Sequence, residues 1–285
     1  MPKSQGEKVN GENWDGILYE VKDRKDKVMI VMSGSDGGLE HARKLASFLK
    51  DEKIPALALG IFKTKHTGKE LNKIPIERIK SVINWLKERG YNKIGIEGAS
   101  KGAEYALAAA IEYPEISCVI VKTPSWYYGE GLKNNQPSGD SSWSINGKAV
   151  PFTPYKERKF NILKMLWKAK EYNILSVNLG KDIVLDSIIP VEKIKAPILI
   201  MSTKVDTIWP SEESSKKICN RLKENNFSYP YKHISFDYMS HMMLEYCGKE
   251  IKYFIKSEKE NPKECFKERE IMGKECVKWI EEIWN

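Results

Sequence analysis

"GASKGAE" spans residues 98 to 104, between "NKIGIE" at 92–97 and "YALAAAIEY" at 105–113. The left flank reads as a short apolar strand and the right flank as an alanine-rich helix, so the two glycines fall at a strand-to-helix turn. Gly98-Ala99-Ser100-Lys101-Gly102 fits G-x-S-x-G, in which a cramped turn lifts a serine hydroxyl above a sheet. Five residues with three fixed positions recur by chance and also suit ordinary turns; the strand and helix on either side are what give this match weight.

Working outward, the same alternation repeats. "KVMIVMS" at 27–33 is a strand, followed by Leu39, Ala42, Leu45, Ala46 and Leu49 at helical spacing. "IPALALG" at 54–60 is the next strand, and Ile76, Ile79, Val82, Ile83 and Leu86 mark a second helix that ends at Gly90. "ISCVIVK" at 116–122, "APILIMS" at 196–202 and "YKHISFD" at 231–237 supply further strands, with a helix around 211–225 and another in "EREIMGKECVKWIEEIWN". Strands alternating with helices predict a mostly parallel sheet covered by helices on both faces. In such sheets ligands bind beyond the carboxyl ends of the strands, where Ser100 falls.

The alternation breaks over about 124–190, which is rich in aromatics, Gly, Ser and Pro and closes with a helix-like run in "YKERKFNILKMLWKAKEYN". An excursion of this length inside an α/β domain is expected to be functional, as a cap or lid. The chain divides accordingly into a disordered lead-in over 1–16 and a catalytic domain over 17–285 with the cap-like insertion inside it.

Composition bounds the function. The chain has 285 residues, 41% hydrophobic and 30% charged, and its longest apolar stretches are too short to cross a bilayer. Five cysteines without C-x-x-C spacing argue against a disulfide framework or a zinc site, and with a polar N-terminus they predict a reducing, cytoplasmic location. The formal net charge of +8 comes from lysines interleaved with Asp and Glu, and no nucleic-acid module is present, so nucleic acid is not an expected partner and no membrane span is expected. No cofactor or metal is implied, and the oligomeric state stays open.

A serine hydroxyl needs a base to take its proton and an acid to orient that base. In this architecture the expected order is Ser, then Asp or Glu, then His. Only His233 and His241 follow Ser100. His233 lies inside a strand-like run, whereas His241 follows it on a loop, which makes His241 the better base. Asp206, just past the strand at 196–202, is preferred as the acid over Asp182, Asp186 and Asp237. For the oxyanion, the backbone N–H of Lys101 and those of the Ser35 and Asp36 region in "SGSDGG" are the expected donors.

These segments together resemble a known family, the catalytic domain of acyl-CoA thioesterases and bile acid-CoA:amino acid N-acyltransferases. "SGSDGGL", "GASKGAEYAL", "SSWSINGKAVPF", "VEKIKAPILIMSTKVDTIWPS" and "SHMM" occur in the order that family shows. The resemblance implies an α/β-hydrolase fold, related to dienelactone hydrolase, with Ser100 as nucleophile, Asp206 as acid and His241 as base. The family's acyltransferases usually carry cysteine at the nucleophile position and its thioesterases serine, so Ser100 implies hydrolysis of an acyl-CoA through an acyl-enzyme. A carboxylesterase of the dienelactone-hydrolase kind is the alternative, and an acyl-CoA acyltransferase a further one.

Overall fold

The computed structural model describes residues 6–156, 158–161, 183–245, 251–252 and 255–284. Eight strands make the main sheet: β1 (Glu7–Gly11), β2 (Trp14–Tyr19), β3 (Lys27–Met32), β4 (Ala56–Gly60), β6 (Lys93–Ala99), β7 (Ile116–Lys122), β12 (Ile198–Thr203) and β13 (Tyr231–Phe236). Their order across the sheet is β1-β2-β4-β3-β6-β7-β12-β13. β2 pairs antiparallel with β1 and β4, and the other pairings are parallel.

Both faces of the parallel strands are buried, which is why their sequences run apolar without alternation. Val28, Ile30, Ile96, Val119 and Ile198 face helices α2 (Arg78–Glu88), α3 (Lys101–Glu112) and α4 (Ser211–Glu224). Their neighbours Met29, Val31, Ile120, Leu199 and Met201 face α1 (Glu40–Asp51) and, after α5 (Lys256–Glu260), the C-terminal helix α6 (Pro262–Lys278). The period-2 geometry of a strand sends successive residues to opposite layers.

The expected disordered lead-in does not hold for residues 7–16. They form β1 and the start of β2, a hairpin whose turn holds Asn13 at φ 63°. Trp14 is buried and meets Trp85 of α2 edge-on at 5.5 Å, and Glu7 pairs with Arg89 at 2.7 Å. The hairpin escaped the sequence reading because β1 is an edge strand with a single buried side chain, Val9. Its polar residues face water, as edge strands require.

Between β7 and β12 the described residues form small sheets instead of a βα unit. β8 (Glu130–Lys133) pairs with β9 (Gln136–Ser141), and β10 (Trp143–Ile145) pairs with β11 (Lys148–Ala149) and with β5 (Ile74–Pro75). The buried Glu130 carboxylate organises this region by accepting the N–H groups of Gly139 and Tyr155 and pairing with Arg158. Most of the helix-like run after Tyr155 lies outside the described residues.

Candidate active site

β6 ends at Ala99 and α3 begins at Lys101, leaving Ser100 between them at φ 58°, ψ −122°. Such a conformation is strained for a residue with a side chain and persists only where the surroundings enforce it. The enforcement is steric. A Cβ on Gly98 would lie 2.1 Å from the Gly102 carbonyl oxygen, and one on Gly102 would lie 2.2 Å from that of Ser33. The Ser100 N–H donates to the Lys122 carbonyl at 2.9 Å, anchoring the turn to β7.

The structure brings Ser100, His241 and Asp206 together. His241 Nε2 lies 2.9 Å from Ser100 Oγ, and its Nδ1 lies 3.0 Å from each carboxylate oxygen of Asp206. Asp206 is itself held by the N–H groups of Ile208 and Trp209, at 2.8 and 3.1 Å. The Trp209 ring meets the imidazole edge-on at 4.8 Å, and its indole N–H donates to the Thr123 carbonyl at 3.1 Å. His241 and Asp206 are buried, so this chain of hydrogen bonds is shielded from competing water.

The other candidates sit elsewhere. His233 lies on β13 with Nε2 2.7 Å from Ser202 Oγ, and burial lowers its pKa. Asp237 is exposed and pairs with Lys204 at 2.5 Å, Asp186 lies on an exposed turn, and Asp182 falls outside the described residues.

Two neighbouring residues of α6 grip the loop that carries His241. The Glu268 carboxylate accepts the consecutive N–H groups of Asp237, Tyr238 and Met239 at 2.7 to 3.2 Å. Arg269 donates to the carbonyls of Met242 and Leu244, at 3.1 and 2.8 Å, and pairs with the buried Glu258. The sequence reading missed both, because nothing in a helix pattern tells which loop its polar side chains will meet.

Ser100 opens into a cavity of about 420 Å³. Lys101, Ser35 and Asp36, the expected oxyanion-hole residues, line it together with Gly34, where an added Cβ would stand 2.9 Å from Ser100 Cβ. The Asp36 carboxylate meets His41 at 2.9 Å, and that hydrogen bond chiefly raises the His41 pKa. Leu132, Tyr155 and Phe160 of the 124–190 segment line the cavity too, as do Ile208, Trp209, Met242 and Met243. A serine so aligned can lose its proton to His241 Nε2 while Asp206 holds the other ring nitrogen.

A strand order of this kind, with the serine on the turn after β6, defines an α/β hydrolase. Residues 74–247, more than half of the chain, match the family described as BAAT / Acyl-CoA thioester hydrolase C terminal, and the chain belongs to that family. Solved structures share the fold. An esterase of Pyrococcus furiosus is 17% identical over 99% of this chain and 93% of its own, with a TM-score of 0.57. Est1E from Butyrivibrio proteoclasticus is 16% identical over 97% of each chain at a TM-score of 0.54. A dienelactone hydrolase from Anabaena variabilis is 13% identical over 95% of this chain and 97% of its own, at 0.51. No curated protein matches the sequence. Family and fold together make the chain a hydrolase of the thioesterase or esterase class, acting on a small molecule. Among the described residues no helix is long and apolar enough to cross a membrane.

Proposed function

We propose that the chain is a cytoplasmic serine hydrolase that cleaves an acyl thioester, with Ser100 as nucleophile, His241 as general base and Asp206 as the acid that orients it. The observation that carries this reading is the unbroken hydrogen-bond chain from Ser100 Oγ through His241 to Asp206. Ser100 Oγ attacks the acyl carbonyl as its proton passes to His241 Nε2, and Asp206 stabilises the imidazolium. The N–H of Lys101 and those of the Ser35–Asp36 turn receive the oxyanion. His241 passes that proton to the sulfur as the thiol leaves; the neutral imidazole then takes a proton from water as its oxygen attacks the acyl-enzyme, and returns it to Ser100 Oγ as the acid is released. The 124–190 segment caps the pocket through Leu132, Tyr155 and Phe160, which line it.

A fluorophosphonate probe should label Ser100. Turnover of an acyl-CoA and of the matching p-nitrophenyl ester then separates thioesterase from carboxylesterase. The CoA phosphates would lie against exposed lysines such as Lys65 and Lys69, so the preference for acyl-CoA should shrink as salt rises. A salt-independent preference for the simple ester assigns the carboxylesterase instead.

A further inference from the structure

Three charged side chains line the active-site cavity, and the triad uses none of them. Glu97 lies on β6 three residues before Ser100, roughly 10 Å along the strand. Lys122 ends β7, and Glu245 follows His241 by four residues. All three line the cavity. Glu97 is 0% and Lys122 1% exposed, and the Lys122 ammonium pairs with both carboxylates.

With both carboxyl groups ionised, the charges among the described residues do not balance. Two carboxylates then share one ammonium, and the Cys276 thiol beside them is held neutral because burial raises its pKa well above the usual value. Burial also pushes the Glu97 carboxyl up to about 7. Glu97 Oε2 has no hydrogen-bond partner, although its residue is fully buried and lines the cavity. A buried polar atom without a partner is costly, and a buried ion cluster is often no more stable than apolar residues of the same volume. A cavity meant for a plain alkyl chain would be served better by leucine there, in keeping with Leu45, Met243 and Leu244, which line the same cavity. The leaving group must reach solvent, so the part of the cavity lined by the buried Glu97 and Lys122 is assigned to the acyl group.

Building on the hydrolase reading, we propose that Glu97, Lys122 and Glu245 recognise the remote end of the acyl group, and that the preferred acyl group ends in a hydrogen-bond donor, an ammonium or a hydroxyl, instead of a methyl. The donor meets Glu97 Oε2, and an ammonium also cancels the excess negative charge.

The test compares p-nitrophenyl esters of hexanoate, ω-hydroxyhexanoate and ω-aminohexanoate, and their octanoate counterparts. In the wild-type protein kcat/KM for a donor-ended ester should exceed that for the alkyl ester of equal length by roughly tenfold, the worth of one charge-assisted hydrogen bond. In E97L, E245L and the double variant, which remove the acceptor oxygens, this ratio should fall toward one; taking the ratio within each variant cancels any general loss of activity. A higher rate for the amine identifies a cationic substrate, and a higher rate for the hydroxyl a neutral one. If the alkyl esters are turned over at least as well at both lengths, or if the preference survives in all three variants, the proposal is overturned. The wild-type comparison decides even where a variant does not fold. Fluorophosphonate labelling and p-nitrophenyl acetate hydrolysis in the same preparation report on the hydrolase reading: if they are present with a flat ratio, this inference alone falls; if they are absent, both fall.

Discussion

The Lys101 ammonium lies 2.8 Å from the Glu104 carboxylate, one turn along the helix that begins beside Ser100, and both side chains are buried. The other Glu104 oxygen accepts the Gly129 N–H at 3.0 Å and the Trp143 indole N–H at 3.1 Å. One carboxylate thus ties the turn at Ser100 to Gly129 and Trp143. Glu104→Ala strands an ammonium and two N–H donors in the interior, and should destabilise the fold by about 3–5 kcal/mol in urea titrations. Glu104→Gln, which keeps an acceptor for the N–H groups, should lose less.

Ser100→Ala should lower kcat by a factor on the order of 10⁴ to 10⁶ while leaving the urea midpoint in place or raising it. A variant that keeps half its activity contradicts the mechanism.

Asp206→Asn should leave His241 mis-oriented and reduce kcat strongly with little change in KM, whereas Asp237→Asn, at an exposed pair with Lys204, should do much less. Parallel kinetics on the two variants give the ranking, and a reversed ranking removes Asp206 from its role.

Glu268→Ala takes the acceptor from three consecutive N–H groups just before His241. It should lower kcat roughly tenfold with KM nearly unchanged, since a loosened base spends less time aligned with Ser100. Glu268→Gln should recover part of the loss because its amide oxygen still accepts. A change confined to KM would place Glu268 in substrate binding instead.

Burial raises the Glu97 carboxyl from its ordinary 4.5 to about 7. Between these values the folded protein binds more protons than the unfolded chain, so this group makes stability fall as pH rises from about 4.5 to 7 and level off above. Glu97→Gln should remove that slope in urea midpoints collected across the window. An unchanged slope would mean that Glu97 is ionised throughout.

The strand-helix alternation was legible because β3, β7 and β12 are buried on both faces and therefore read as largely apolar runs. G-x-S-x-G was legible because backbone approaching backbone at Gly98 and Gly102 leaves room for no side chain. Chain order and position past a strand pointed to Asp206 and His241, which the fold joins to Ser100 in one hydrogen-bonded chain. Tertiary structure alone decided the rest. β1 carries one buried residue, too few for any period to show, and the polar strands β8 and β9 owe their place to Glu130. Glu97 was the one visible irregularity, an acid within a strand of otherwise buried apolar residues, yet its partners Lys122 and Glu245 lie far along the chain. Periodicity records which side chains leave water, and it is set locally by the backbone. Which buried charge meets which, and which helix grips the loop of His241, depends on segments that become neighbours only when the sheet closes.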